Sequence, residues 1–307
     1  MGRYALLVGC CYLGDGNELQ GCYNDVAAMK DLLINSFGFR RTNVEVLTDQ
    51  RSSPLPPTGE VIRTELYEMI KQAEPGDVLL FYFSGHGIYR DFRGSRGCIR
   101  EEAIVPCDRN LIFSADFRDM VNGMPHGADF VMIADSCHSG GLIGQTKEQV
   151  GPGFRPDVCH ASRPYNYGNI GGGRRAKRMP IESVLRHLRP LSHVDSSDIG
   201  TLLRDIYGNQ ASILFRRHVD PDVSVDRGIL ISGCQSNETA VDDDGKHRRP
   251  YGLFTAELYS TLRNLRGPMM SNAELVETIR CKLRNEDQHP CLYCSDKRAD
   301  APFLWLR

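Results

Sequence analysis

A cysteine and a histidine, each closing an apolar run, are the residues here whose types could do covalent chemistry. Cys137 lies in IADSCHSGG (133–141) and His86 in LLFYFSGHG (79–87). A thiolate is a strong nucleophile, but a free thiol, with a pKa of about 8.5, needs a base or an imidazolium beside it to react at neutral pH. His138 is adjacent in sequence, yet successive side chains at a strand end diverge, so His138 is expected beside the site and not in it. His86, leaving another apolar run between two glycines, can face Cys137 across a sheet edge. The expected dyad is Cys137 as nucleophile and His86 as base. The plainer reading of one cysteine among 11 is a buried small hydrophobe. The strand-end position and the following Ser-Gly-Gly, where backbone can approach a substrate closely, set Cys137 apart from that reading.

These two residues need elements to carry them. YALLVGC (4–10), NVEVLTD (43–49), DVLLFYFSGHG (77–87), EAIVP (102–106), DFVMIADSC (129–137) and GILISGCQ (228–235) read as strands. Between them, helical spacing sets Val26, Met29, Leu32 and Leu33 on one face of residues 24–37. Further helices are expected over 58–73, with Thr58 as N-cap, and over 114–123, 196–208, 251–262 and 271–285. Strands apolar on both faces and separated by helices predict an α/β fold, a mainly parallel β-sheet with helices on both faces. In such sheets ligands bind beyond the carboxyl ends of the strands, where SGHG and DSCHSGG fall.

Composition limits the partners. With 37 basic and 39 acidic residues the formal net charge is −2, so the chain as a whole has no electrostatic reason to seek nucleic acid or a membrane. An odd number of scattered cysteines and an amino terminus, MGRYALLVGCCYLGDG, without a basic flank or long apolar stretch predict a reduced intracellular protein with no signal peptide or membrane span. Cys234 also closes a strand but lacks a histidine-bearing partner block and is taken as structural. HPCLYC (289–294) could donate to zinc through His289, Cys291 and Cys294, but no second CxxC completes a site, and no metal is expected. DDDG (242–245) reads as a solvated turn.

YFSGHG and DSCHSGG, in that order, resemble the histidine and cysteine blocks of the caspase-like clan. LQGCYNDVAAM, EAIVPCDRNLI, DFRDMV, SCHSGGLI, GILISGCQSNETA, YGLFTAEL and HPCLYCSDKRADAPFL resemble plant type II metacaspases, most closely the metacaspase-9 subgroup, nearly end to end and failing only in the middle. The resemblance implies a caspase-like fold and a cysteine endopeptidase cutting after Arg or Lys. It implies an S1 pocket, the subsite for the residue before the cut bond, formed by Asp25 and Asp135 and lined by Cys22 and Ser84. Paired carboxylates would hold a guanidinium or ammonium through charge-assisted bonds. Backbone N–H groups of Gly87 and Cys137 are the expected oxyanion donors, each worth roughly 3 kcal/mol if well aimed.

Many metacaspases carry an acidic, calcium-binding cluster before the EAIVPCD strand. Here IYRDFRGSRGCIREE (88–102) sets Arg90, Arg93, Arg96 and Arg100 against Asp91, Glu101 and Glu102, which serves a hard cation poorly, so activity without calcium or any other cofactor is expected. The expected organisation is a large subunit over 1–144 with the dyad, a flexible linker over 145–180, and a small subunit over 181–307 completing the same sheet. In the linker, NIGGGRRAKRMP (169–180) carries the expected autocleavage bond, Arg178–Met179, with Lys177 and Arg175 as fallbacks. Arg155, Arg163, Arg189 and Arg249 each precede proline and should be poor sites.

The resemblance further implies a zymogen that is monomeric and becomes two-chain after the cut, with protein or peptide substrates. It implies a role in programmed cell death or stress proteolysis, in the cytoplasm or nucleus, with apoplastic release after rupture. A start almost at the first strand speaks against type I members, which carry a prodomain. The rival reading is a catalytically inactive caspase-like scaffold or binding protein.

Overall fold

In a computed structural model of the chain, the residues described are 1–94, 97–143, 147–151, 173–216, 228–245, 249–265 and 269–304. Side chains of 93–99, and so of Arg93 and Arg96, lie outside that description, as does most of the expected linker, residues 152–172 with Arg155 and Arg163.

The centre is a seven-stranded sheet. In chain order its strands are β1 (Arg3–Gly9), β2 (Val44–Thr48), β3 (Val78–Ser84), β7 (Asp129–Asp135), β8 (Glu148–Val150), β10 (Gly228–Ser232) and β13 (Cys291–Tyr293). Their spatial order is β2-β1-β3-β7-β10-β13-β8, with the first five strands parallel and β13 antiparallel to both neighbours. Alternate residues feed two cores. Leu6, Val8, Leu79, Phe81, Phe83, Phe130 and Met132 pack on one face with α2 (Gly59–Lys71), α3 (Ser114–Asn122), α4 (Ile181–Leu188) and α5 (Ile199–Tyr207). Leu7, Leu80, Tyr82, Val131 and Ile133 pack on the other with α1 (Cys22–Asn35), α6 (Leu253–Arg263) and α7 (Asn272–Lys282). A short α8 (Asp296–Ala299) follows. Burial on both faces accounts for the continuous apolar strand sequences, and Thr58 caps α2 as its position predicts, accepting from the Val61 N–H at 3.2 Å.

Two small sheets complete the fold: β4 (Gly87–Gly94), β5 (Gly97–Ile104) and β6 (Ile112–Phe113) in one; β9 (Arg174–Ala176), β11 (Val241–Asp243) and β12 (Tyr251–Gly252) in the other. Three local expectations need correction. The strand expected over 102–106 is the end of a long hairpin, because residues 87–94 pair antiparallel with 97–104. The expected linker carries ordered ends: Glu148–Val150 pairs with β13, and Arg174–Ala176 pairs antiparallel with β11. DDDG is not a solvated turn throughout, since Asp242 is buried and accepts from the N–H groups of Gln20 at 2.7 Å and Gly21 at 2.9 Å, at the start of α1.

Candidate active site

Strands β3 and β7 lie side by side with Ser84 opposite Asp135, so the turns that follow them leave the sheet together. This places SGHG against DSCHSGG. The approach is tight: a Cβ on Gly87 would overlap the Cys137 carbonyl, which only glycine avoids.

Across this edge runs the extended segment that begins with β9. Its residues Ala176, Arg175 and Arg174 pair with Val241, Asp242 and Asp243. Lys177 continues the ladder, donating its N–H to the Ala240 carbonyl at 2.8 Å. The Lys177 carbonyl accepts two backbone N–H groups, from Gly87 at 3.0 Å and Cys137 at 3.2 Å. Beyond it the Met179 N–H returns a bond to the Gly87 carbonyl at 3.2 Å.

The Lys177 side chain enters a closed acidic pocket. Its Nζ lies 3.0 Å from Asp25 Oδ2, 3.1 Å from Asp135 Oδ2 and 2.9 Å from Ser84 Oγ, with all three charged groups fully buried. Other groups fix the carboxylates. Ser84 Oγ and the Gly252 N–H donate to Asp25 at 2.7 and 2.9 Å; Thr255 donates its hydroxyl and N–H to Asp135 at 2.5 and 3.2 Å. A Cβ on Gly252 would overlap both Asp135 and the ammonium. Burial pulls the Lys177 pKa down, but Asp135 and Asp25 more than offset this and hold it well above the ordinary lysine value. Burial pushes Asp25 up, opposed by Lys177. Cys22 is buried beside this group, its thiol raised by burial, with the Lys177 charge acting the other way. Asp135 Oδ1 is buried without a hydrogen-bond partner among the described residues.

His86 is held from three sides. Its N–H donates to Tyr12 Oη at 2.9 Å, and that hydroxyl donates to the Val105 carbonyl at 2.6 Å. The two rings lie 4.8 Å apart. Ring atom Nε2 is 2.6 Å from the Asn17 carbonyl, an acceptor, so Nε2 carries the hydrogen in the neutral ring and the lone pair falls on Nδ1. Nδ1 is buried with no hydrogen-bond partner among the described residues. Burial lowers the His86 pKa to about 4, with the charges of Arg109 and Lys177 adding to the effect, so the ring is neutral at pH 7.

Cys137 Sγ accepts the Ala240 N–H at 3.1 Å and packs in an apolar cluster with Cys234 and Ala240. No hydrogen bond joins it to His86 among the described residues. His138, beyond the end of β7 and at φ 52°, packs edge-on against Tyr89 with ring centroids 4.5 Å apart. The structure thus brings His86, Gly87, Cys137, Asp25, Asp135, Ser84 and Cys22 around one residue, Lys177.

Arg178, which precedes the bond expected to be cut, does not occupy the acidic pocket; Lys177, one of the two fallbacks, does. The Arg178 guanidinium lies 5.4 Å from the Tyr89 ring centroid, and Met179 is buried in the core beyond. Lys177 is seated because the β9 ladder sets the register and its carbonyl meets the two N–H groups. Asp242, Gly252, Thr255 and Ala240 escape the sequence reading, which put Asp242 in a solvated turn and Gly252 and Thr255 inside a helix over 251–262.

Residues 3–145 match the family described as metacaspase, peptidase C14 domain. Metacaspase-9 of Arabidopsis thaliana is 41% identical over 98% of this chain and 96% of its own, and Metacaspase-6 of the same plant is 30% identical over 99% and 100%. Among solved structures, protein GSU0716 from Geobacter sulfurreducens superposes with a TM-score of 0.66 at 19% identity, covering 100% of this chain and 99% of its own, a likeness of fold. The chain belongs to the metacaspases and is, as that family implies, a cysteine peptidase.

Proposed function

We propose that the protein is an endopeptidase cutting after Lys or Arg, and that its own Lys177–Arg178 bond lies in the active site in the uncut state. The observation that carries this reading is Lys177 itself, with its ammonium between Asp25 and Asp135 and its carbonyl on the Gly87 and Cys137 N–H groups. Two donors on one carbonyl oxygen are what a tetrahedral oxyanion needs.

His86 Nδ1 takes the Cys137 thiol proton, and Sγ attacks the Lys177 carbonyl carbon. The oxyanion forms against Gly87 and Cys137. On collapse the carbon–nitrogen bond breaks, and His86 returns the proton to the Arg178 amine as it leaves. Water then hydrolyses the thioester, freeing the Lys177 carboxylate and restoring the thiol. The unpartnered Asp135 Oδ1 supports arginine as a second guest, because a guanidinium has donors to spare for it.

Activity without calcium belongs to the same proposal. Near the β4–β5 hairpin Arg90 pairs with Asp198 at 2.6 Å, Arg100 with Asp91 at 3.0 Å and Arg118 with Glu101 at 2.7 Å, so these carboxylates already have cations.

The test incubates wild type and Cys137→Ala with peptides ending in Arg, Lys, Asn or Asp, with chelator or calcium, and sequences any new amino terminus. Turnover after Arg and Lys by wild type alone, indifferent to chelator, with a new terminus at Arg178, is expected. A new terminus at Met179 would return the cut to the bond expected from sequence. Turnover abolished by chelator would overturn the calcium reading, and silence with every peptide would favour the scaffold.

A further inference from the structure

The same segment engages a second acidic site three residues before Lys177. Arg174 forms two parallel bonds to Glu286, Nη1 to Oε2 at 2.7 Å and Nη2 to Oε1 at 3.3 Å, while its Nε lies 3.2 Å from Asp243 Oδ2. The three side chains are each about one-third exposed, at 31%, 32% and 31%, so the site opens to solvent at one side. Backbone pairing sets the register, because Arg174 stands opposite Asp243 in the β9–β11 ladder. Arg175 between them points elsewhere, its Nη1 donating to the Glu18 carbonyl at 2.6 Å. Glu286 comes from beyond the end of α7 and has no other side-chain bond among those described, whereas Asp243 Oδ1 also accepts the Gly245 N–H at 2.9 Å and so holds its turn.

We infer that Glu286 and Asp243 form a subsite that selects Arg in substrates at the fourth position before the cut, three residues ahead of the residue in the Asp25–Asp135 pocket. This rests on the reading of Lys177 as the residue before the cut. Before processing, the chain's own Arg174 fills the subsite; once that strand has left, any extended peptide adding to β11 brings its fourth residue to the same two carboxylates. Planar, bidentate geometry favours a guanidinium over an ammonium.

The test uses the full chain after its linker cleavage has run to completion, with fluorogenic peptides Arg-Arg-Ala-Lys, Ala-Arg-Ala-Lys and Glu-Arg-Ala-Lys, and reads ratios of kcat/KM. Arg over Ala at the first position should be preferred roughly five- to tenfold at low salt, the range of a well-formed bidentate pair near the surface, and less as ionic strength rises. Glu286→Gln should bring that ratio toward about one or two, and Glu286→Lys should raise the Glu peptide relative to the Arg peptide. A ratio near one in wild type, with all three peptides cut, would overturn the subsite and leave the peptidase reading standing. A preference that survives both Glu286 substitutions would also overturn it. No turnover of any peptide would overturn the peptidase reading, and the subsite with it.

Discussion

Two buried acidic pairs among the described residues are satisfied in opposite ways. Asp25 and Asp135 come from a helix and a strand far apart in sequence and converge on a cation from a third segment, Lys177. Glu101 and Glu102 are neighbours on one strand, and their side chains go to separate partners. Glu101 accepts from Ser114 Oγ and pairs with Arg118 of α3, whereas Glu102 accepts the Gly141 N–H at 2.5 Å. The first pair shares one guest on a segment that the proposed cut would release. The second is bonded to permanent parts of the fold. The contrast separates a pocket built to bind from carboxylates built to hold a hairpin in place.

The strongest way to break this comparison is Asp135→Asn. It leaves a buried ammonium or guanidinium with half its counter-charge, a loss on the order of 3–5 kcal/mol, so kcat/KM for peptides ending in Lys or Arg should fall by about 10²- to 10⁴-fold. A fall of less than about threefold, measured on the same peptides, would show that the pair does not select the guest. Glu101→Gln should act on stability instead. Losing the charged partner of Arg118 should cost about 1–3 kcal/mol, seen as a lower melting temperature, while preference for Lys and Arg stays as in wild type. A changed preference would merge the two acidic sites into one.

A third effect, seen only across a pH window, concerns Glu102. Burial raises Glu102 from its ordinary value to about 7, opposed by the Gly141 N–H. A carboxyl whose folded pKa is raised binds its proton more tightly in the folded state. Its contribution to stability is therefore fully present below about pH 4.5 and is lost as pH rises through about 7. Glu102→Gln has no such proton to lose. Across that window its stability relative to wild type should rise by up to about 3 kcal/mol, then level off, in denaturant titrations at successive pH values. A flat difference would place Glu102 in contact with solvent.

Much of this arrangement was legible in the residues themselves. LLFYFS and FVMIAD are apolar on both faces, so their places inside a covered parallel sheet follow from periodicity, and SGHG and DSCHSGG then fall at its carboxyl edge. The burial of Asp242 does not follow from periodicity, because its partners at Gln20 and Gly21 lie 222 and 221 residues away, and an acidic turn looks solvated until the fold closes on it. The choice among Arg175, Lys177 and Arg178 was equally out of reach. All three are basic, and only the register of β9 against β11 decides which side chain meets Asp25 and Asp135.

That register bears on which proteins the enzyme can attack. From Arg174 to Met179 the segment is held by backbone pairing at both ends, so a target bound as proposed would surrender about 20 Å of straightened chain before any charge is read. Of the 37 basic residues in this sequence, those inside helices or the central sheet cannot offer this without local unfolding. On the proposed reading, conformation is screened before side-chain identity: loops, tails and damaged folds would be open to cutting, and an intact neighbour rich in lysine would be passed over.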